Sequence, residues 1–187
     1  MIRRLGCLSA LLSIAFFLAV IGAIGWFGYQ AYVHATDSQA IAARTNEVGQ
    51  AWTDDPAALV TAATGKGGVR PKGLSAQPYQ RIGARPVDSA KTSKTSKTTL
   101  TLVTSQATCD GPALVADVVD SPVLVQVLVH PESSWLPDVP RLWTQWRDGS
   151  KPCATAGAPV SVTVTLGSPL GRRVLVDAVT GESVSTK

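Results

Sequence analysis

An uninterrupted apolar run over residues 5–32 constrains this chain more than any other feature of its sequence. From Leu5 to Gly25 there is no charged side chain, and the only polar side chains are Ser9 and Ser13. About 20 apolar residues, each rising about 1.5 Å along a helix, match a hydrocarbon core about 30 Å thick. We therefore predict a transmembrane helix that contacts the lipid bilayer through residues 5–32.

The charges that flank the run predict its orientation. Arg3 and Arg4 precede it, and the first positive charge after it is Arg44. The positive-inside rule then leaves the N-terminus in the cytoplasm and the rest of a single-pass cell-membrane protein outside it. Two interpretations stay open: an uncleaved signal anchor over residues 1–35, and a signal peptide cleaved after Ala35. The length of the run favours the anchor, because signal-peptide cores span about 7–15 residues.

The next segment, residues 36–65, carries apolar side chains at helical spacing, among them Val48 and Trp52. Asp55 followed by Pro56 is typical of a second helix start, with the aspartate as N-cap. We predict a membrane-proximal helical stalk over residues 36–65. The alternative is a docking helix, either for a partner or for the surface of the chain's own domain.

Positive charge is concentrated in residues 66–97, which hold eight Lys or Arg and one acid. Residues 98–187 hold six basic and eight acidic side chains. The basic excess therefore belongs to a segment rich in Pro, Gly, Ser and Thr, which argues against a nucleic-acid partner. We predict a solvated linker. The stretch from Lys66 to Lys97 is a candidate for contact with anionic headgroups or wall polymers.

Residues 98–187 show the alternation and turn residues of a small extracytoplasmic β-domain. The predicted strands lie at residues 98–104, 113–119, 123–130, 160–166 and 173–177. The second and third should form a hairpin, and the third, apolar on both faces, should be central. The predicted fold class is mainly β: a small antiparallel sandwich or barrel, preceded by the transmembrane helix and the short membrane-proximal helix.

Two cysteines of the β-domain, Cys109 and Cys153, are the number that one disulfide needs. An extracytoplasmic compartment permits this bond. Closing a loop of this length would stabilise the fold by about 4 kcal/mol in the chain-entropy model. We therefore predict a fold with one disulfide.

Three tryptophans, Trp135, Trp143 and Trp146, are the candidate binding residues. In a loop they would form an apolar platform for a sugar or a protein partner. The alternative is that they pack over the open end of the sandwich.

The sequence gives no strong sign of catalysis. It contains no G-x-S-x-G elbow, phosphate loop or zinc-binding spacing, so we predict no catalytic residue, metal site or cofactor. Asp117, Asp120, Asp177 and His130 are the acids and base that a hydrolase would have to bring together. Arg172 and Arg173 are expected to form surface ion pairs with Asp177 and Glu182.

The C-terminal stretch V-T-V-T-L-G-S-P-L-G-R-R-V-L-V-D-A-V-T-G, residues 162–181, is a close form of V-x-L-x-x-P-L-G-x-R-x-V-x-D-x-x-T-G. This motif resembles one found in small membrane-anchored or secreted β-domain proteins of actinobacteria. Residues 43–52, A-R-T-N-E-V-G-Q-A-W, resemble a membrane-proximal A-R-x-x-E-V-x-x-A-W stretch of the same proteins. The resemblance implies an extracytoplasmic location and a β-rich C-terminal end. It departs at Arg172, where Asp is usual, and it implies no activity.

The expected function is that of a binding or envelope-structural module, displayed at the membrane for an unidentified ligand or protein partner. An accessory subunit of a membrane complex is the first alternative. A cell-envelope hydrolase is the second.

Overall fold

The computed structural model describes residues 3–65, 67–75, 83–93, 95–105, 113–132 and 159–186, with side chains from residue 13 onward. The chain divides into two compact units, Met1–Ser38 and Gln39–Lys187. Residues 43–52 and 162–181 both belong to the second unit.

The first unit is the N-terminal part of helix α1, which runs over Arg3–Asp54. Most of its described apolar side chains are exposed, including Phe16, Ile24 and Phe27. Among the described residues, α1 is the one helix long and apolar enough to cross a membrane, with a mean hydropathy of 1.7 in its most apolar window. The helix thus has the length and composition of a membrane anchor or a signal sequence.

The second unit contains the rest of α1, a short helix α2 (Pro56–Ala63) and six strands. The strands are β1 (Val87–Thr92), β2 (Thr99–Ser105), β3 (Leu114–Asp120), β4 (Leu124–Pro131), β5 (Pro159–Thr165) and β6 (Val174–Asp177). They form two three-stranded sheets, one in the order β1-β2-β5 and the other in the order β3-β4-β6. Strands β2 to β6 lie within one or two residues of the predicted ranges, since alternation and turn residues mark them.

The predicted mainly β, antiparallel class is only partly confirmed. The β1-β2-β5 sheet is antiparallel, and β3 and β4 form the expected hairpin. However, β6 pairs with β4 in parallel, so the second sheet is mixed. Helices α1 and α2 contain 52 and 8 residues, more than the six short strands together, so helix is a major component of the described chain.

Strand β4 explains how the layers stack. Val125, Val127 and Val129 face a core that they share with residues of the opposite sheet, such as Leu100 and Leu102. The alternate β4 residues, Leu124 and Leu128, belong to clusters on the other face of the strand. A strand buried on both faces is central, as its two-sided apolar sequence predicts.

The layer on that other face is helical, and this corrects the prediction of a stalk over residues 36–65. Val48 and Trp52 of α1 are fully buried in a cluster with Leu124 and Val176 of the mixed sheet. Full burial of an apolar side chain contributes about 1.5–3 kcal/mol. The alternative interpretation, a helix docked on the surface of the chain's own domain, describes this segment.

The structure also departs from the predicted linker over residues 66–97. Strand β1 lies inside this range, pairs with β2 and buries Val87 and Ala90. The turn between β1 and β2 falls in the K-T-S repeat, where the Ser93 hydroxyl accepts hydrogen bonds from the backbone N–H groups of Thr95 and Ser96. The repeat, which looks like low-complexity sequence, therefore includes turn residues of a hairpin.

The turn residues Pro169 and Gly171 between the last two strands suggest a hairpin, but these strands do not pair with each other. Strand β5 pairs with β2 and β6 pairs with β4, so the turn at residues 166–173 carries the chain from one sheet to the other. The C-terminal residues then link the two sheets: Ser183 bridges to Val176 of β6, and Thr186 bridges to Ala90 of β1.

Candidate functional site

Residues 43–52 and residues 162–181 lie far apart in sequence and contact each other in the second unit. The Arg44 guanidinium is 5% exposed and donates from Nε to Ala178 O at 2.8 Å and from Nη2 to Val179 O at 3.2 Å. Its Nη1 also pairs with Glu47 at 3.0 Å. Hydrogen bonds from a charged donor contribute more than neutral ones, and they satisfy two carbonyls that the loop after β6 leaves unpaired.

About two helical turns after Arg44 along α1, Trp52 contacts the same loop. Its indole Nε1 donates to Gly181 O at 3.1 Å, and the side chain is fully buried. Gly181 has φ +74°, and a Cβ at this position would overlap Leu74 Cδ2. The glycine is therefore needed both for its backbone conformation and for the close approach of Leu74.

Asp177 organises this loop from within. Its Oδ1 accepts from Val179 N, and its Oδ2 accepts from the N–H and hydroxyl of Thr180 and from Val87 N. Burial raises the pKa of the carboxyl above its usual value, while these hydrogen bonds oppose the shift. We call Arg44, Trp52, Asp177 and Gly181 the clasp. The described polar contacts of the clasp join helix α1 to the loop after β6.

A second feature is an open cavity of about 500 Å³ with apolar walls. One wall is α2 and the other is built from the β3–β4 turn and the turn before β6. We call this the apolar groove; it is lined by Leu59, Val60, Ala63, Pro122, Val123 and residues 169–174. Val60 is 71% exposed and Val123 is 53% exposed, so both valines present apolar surface to solvent. Concave, mostly apolar surfaces with a few polar groups are the common form of small-ligand sites.

A third feature is a polar cavity of about 490 Å³ beside the clasp, with Asp88, Asp177 and Glu182 among its lining residues. Two of these carboxylates already have partners, since Asp177 holds the loop and Glu182 pairs with Arg70 at 2.8 Å. The described residues contain no group of three or more His, Cys, Asp or Glu arranged to hold a metal ion. Two of the three carboxylates that line the polar cavity are therefore committed to contacts within the fold.

The acids and base considered for a hydrolase each have their own partner. His130 Nε2 lies 3.0 Å from Asp117 Oδ2, and Asp120 pairs with Arg173. Asp177 is buried in the clasp. The expected surface ion pairs of Arg172 and Arg173 with Asp177 and Glu182 are therefore wrong. Asp177 of β6 is buried, and Glu182 forms its ion pair with Arg70.

The remaining predicted site residues lie outside the described residues. This holds for Trp135, Trp143 and Trp146 and for Cys109 and Cys153. The binding platform and the disulfide accordingly stay predictions.

Sequence reasoning missed the apolar groove. Its available signals were Val60 on the face of α2 opposite the buried Ala58 and Ala62, and Pro122 and Pro169 in two separate turns. Each signal is ordinary alone, and only the fold brings them to one surface.

Comparison with known proteins adds no family to this geometry: no protein-family model, curated protein or solved structure matches the chain.

Proposed function

We propose that this chain is a single-pass membrane protein that displays its second unit outside the cytoplasm as a binding module. The anchor is the apolar part of α1, with the N-terminus in the cytoplasm. The binding surface is the apolar groove. The observation that carries the proposal is the pairing of an exposed apolar helix with a separate folded unit that keeps an apolar depression open to solvent.

A binding role is favoured over hydrolysis by the partners of the ionisable groups. Asp117 and His130 contact each other on one sheet face, Asp120 is neutralised by Arg173, and Asp177 supports a loop. None of these residues lines the apolar groove. A general acid and base would have to converge on a cleft, and none of the described cavities is lined by more than one of these residues.

The location is tested by protease digestion of right-side-out membrane vesicles that contain the full chain with a C-terminal epitope tag. We expect loss of the tag without permeabilisation, and resistance of the chain to alkaline extraction from the membrane. A tag protected until the vesicles are opened, or release of the chain by alkali, would contradict the proposal.

The binding surface is tested by placing a photo-crosslinking amino acid at Val60 or Val123 in living cells. Both positions are exposed, so the substitution leaves the fold intact. We expect adducts of a defined added mass from both positions and none from Thr163, an exposed residue of β5. Absence of adducts at both valines would remove the groove as the binding surface.

A further inference from the structure

The apolar groove carries a charge asymmetry that indicates the chemistry of its ligand. Its lining, as far as the structure describes the chain, includes two cations, Arg172 and Arg173, and no carboxylate. Arg173 is committed to the fold, because it pairs with Asp120 and donates from Nη2 to Ser168 O and Pro169 O at 2.7 and 2.8 Å. The positive charge of Arg173 is therefore compensated by Asp120 within the fold.

Arg172 differs from its neighbour. It is exposed, and within the described part of the chain it has no hydrogen bond or ion pair. Among the described residues, the groove therefore combines walls of Val, Leu, Ala and Pro with one guanidinium, that of Arg172, whose charge no carboxylate pairs with. Guanidinium groups bind carboxylates and phosphates through paired N–H donors.

The backbone around the groove argues against an extended peptide as the occupant. Val174 N donates to Val123 O at 3.1 Å, and Arg173 N donates to Leu170 O at 3.0 Å. These donors are used within the fold and are not free to pair with an added strand. An alkyl chain needs no such partners and gains from apolar contact alone.

We propose that the apolar groove binds an amphiphile with one alkyl chain and one anionic head group. The alkyl chain of this amphiphile lies between Val60 and Val123, and its carboxylate or phosphate head group contacts Arg172. The groove volume of about 500 Å³ falls in the range of small-ligand sites, about 300–1,000 Å³. This inference rests on the proposed function, since it names the ligand class of the same groove.

The test uses the full chain in phosphatidylcholine nanodiscs and fatty-acid probes with a diazirine in the alkyl chain. Three probes differ only in the head: a carboxylate, a phosphate monoester and a neutral alcohol. Illumination labels the protein residues nearest the alkyl chain of the probe, and peptide mass spectrometry locates the labelled residues. Labelling of residues 13–32, the bilayer-facing reference, measures how much probe has entered each sample.

We expect both anionic probes to label residues 59–63 and 169–174, and the alcohol to label these residues much less. Arg172→Glu should lower groove labelling relative to the reference by about tenfold, the loss expected for one charge-assisted contact. Val60→Glu should lower it similarly. Lys91→Glu and Thr163→Glu make the matching charge changes on exposed strand positions and should have no effect.

Labelling confined to the reference segment would overturn the inference, as would equal groove labelling by the alcohol. If only the carboxylate or only the phosphate probe labels the groove, the inference holds and the head group is identified. If the fatty-acid probes fail to label the groove but Val60 and Val123 still form photo-crosslinked adducts in cells, the proposed ligand class is rejected and the binding surface is retained. Failure of both experiments rejects the binding surface as well.

Discussion

At the scale of single residues, Gly181 sits where three requirements of the second unit coincide. Its carbonyl accepts the Trp52 indole N–H, its φ is +74°, and Leu74 occupies the space that a Cβ would take. Leu74 is itself buried in the cluster that holds Trp52, so it has little room to move.

Replacing Gly181 with Ala should therefore destabilise the second unit strongly. We expect a loss of about 2–4 kcal/mol, from the left-handed backbone and from the displacement of Leu74. Gly171→Ala is the matched control: φ is +57° there, but a Cβ would lie 3.8 Å from its nearest neighbour, Pro169 O. It should cost only about 1–2 kcal/mol. Urea unfolding of the full chain in detergent measures both, and equal losses would contradict the close packing at Gly181.

Asp177 makes a prediction about pH. Burial raises the pKa of its carboxyl above the usual 3.8, so from that pH up to the folded-state pKa the folded chain holds a proton that the unfolded chain has released. This contribution to the free energy of unfolding is fully present below the unfolded-state pKa and is lost as pH rises through the folded-state pKa.

Asp177→Asn should flatten that decline in the pH profile of urea unfolding. It should also lower stability overall by about 1–3 kcal/mol, because an amide cannot accept all the hydrogen bonds that the carboxylate receives. Asp88→Asn, at an exposed position of the neighbouring strand, should leave the profile unchanged. A wild-type profile that Asp177→Asn does not alter would show that this carboxyl has no part in the pH dependence.

At the scale of elements, the strands follow from sequence and their partners do not. Alternation at Val160, Val162 and Val164 marks β5 and predicts its buried face, since side chains alternate across a strand. The turn at Pro169 and Gly171 then suggests a hairpin with β6. The chain instead crosses to the other sheet, because pairing depends on long-range contacts that a local pattern does not contain.

Two other elements were missed for different reasons. Strand β1 lies in a segment whose charge and Pro content indicate a linker, and it carries only two buried apolar residues, Val87 and Ala90. Its stability comes from pairing with β2. The docked part of α1 was recognisable by its apolar spacing, but its partner was not. The two motifs were visible in the sequence, while the contact of Arg44 with residues 178–179 appears only in the fold.

That contact gives a prediction for the helix as an element. Arg44→Met keeps the length of the side chain and leaves two buried carbonyls unpaired, at a cost of about 2–4 kcal/mol. Hydrogen exchange should increase in residues 39–54 and in residues 178–184 together. Glu47→Gln removes only the exposed partner of Arg44, with an expected effect below about 0.5 kcal/mol. If Arg44→Met changes exchange in neither segment, the clasp does not join helix to sheet.

At the scale of the whole molecule, the folded domain begins earlier in the chain than the sequence predicts. The sequence predicted a β-domain at residues 98–187, separated from the membrane helix by a stalk and a basic linker. In the structure the compact unit begins at Gln39, includes β1 and buries Trp52 against the mixed sheet. The basic segment lies within this unit, so its charges belong in part to a folded surface, as the Arg70–Glu182 pair shows.

This account is tested most directly by comparing three fragments, residues 39–187, 66–187 and 98–187, under the same conditions. We predict that residues 39–187 unfold cooperatively in urea with sharp near-UV circular dichroism. The two shorter fragments should lack such a transition, because they lose the helices that cover the mixed sheet, and the shortest also loses β1. Cooperative unfolding of residues 98–187 with the stability of residues 39–187 would contradict the claim that the helix is part of the domain.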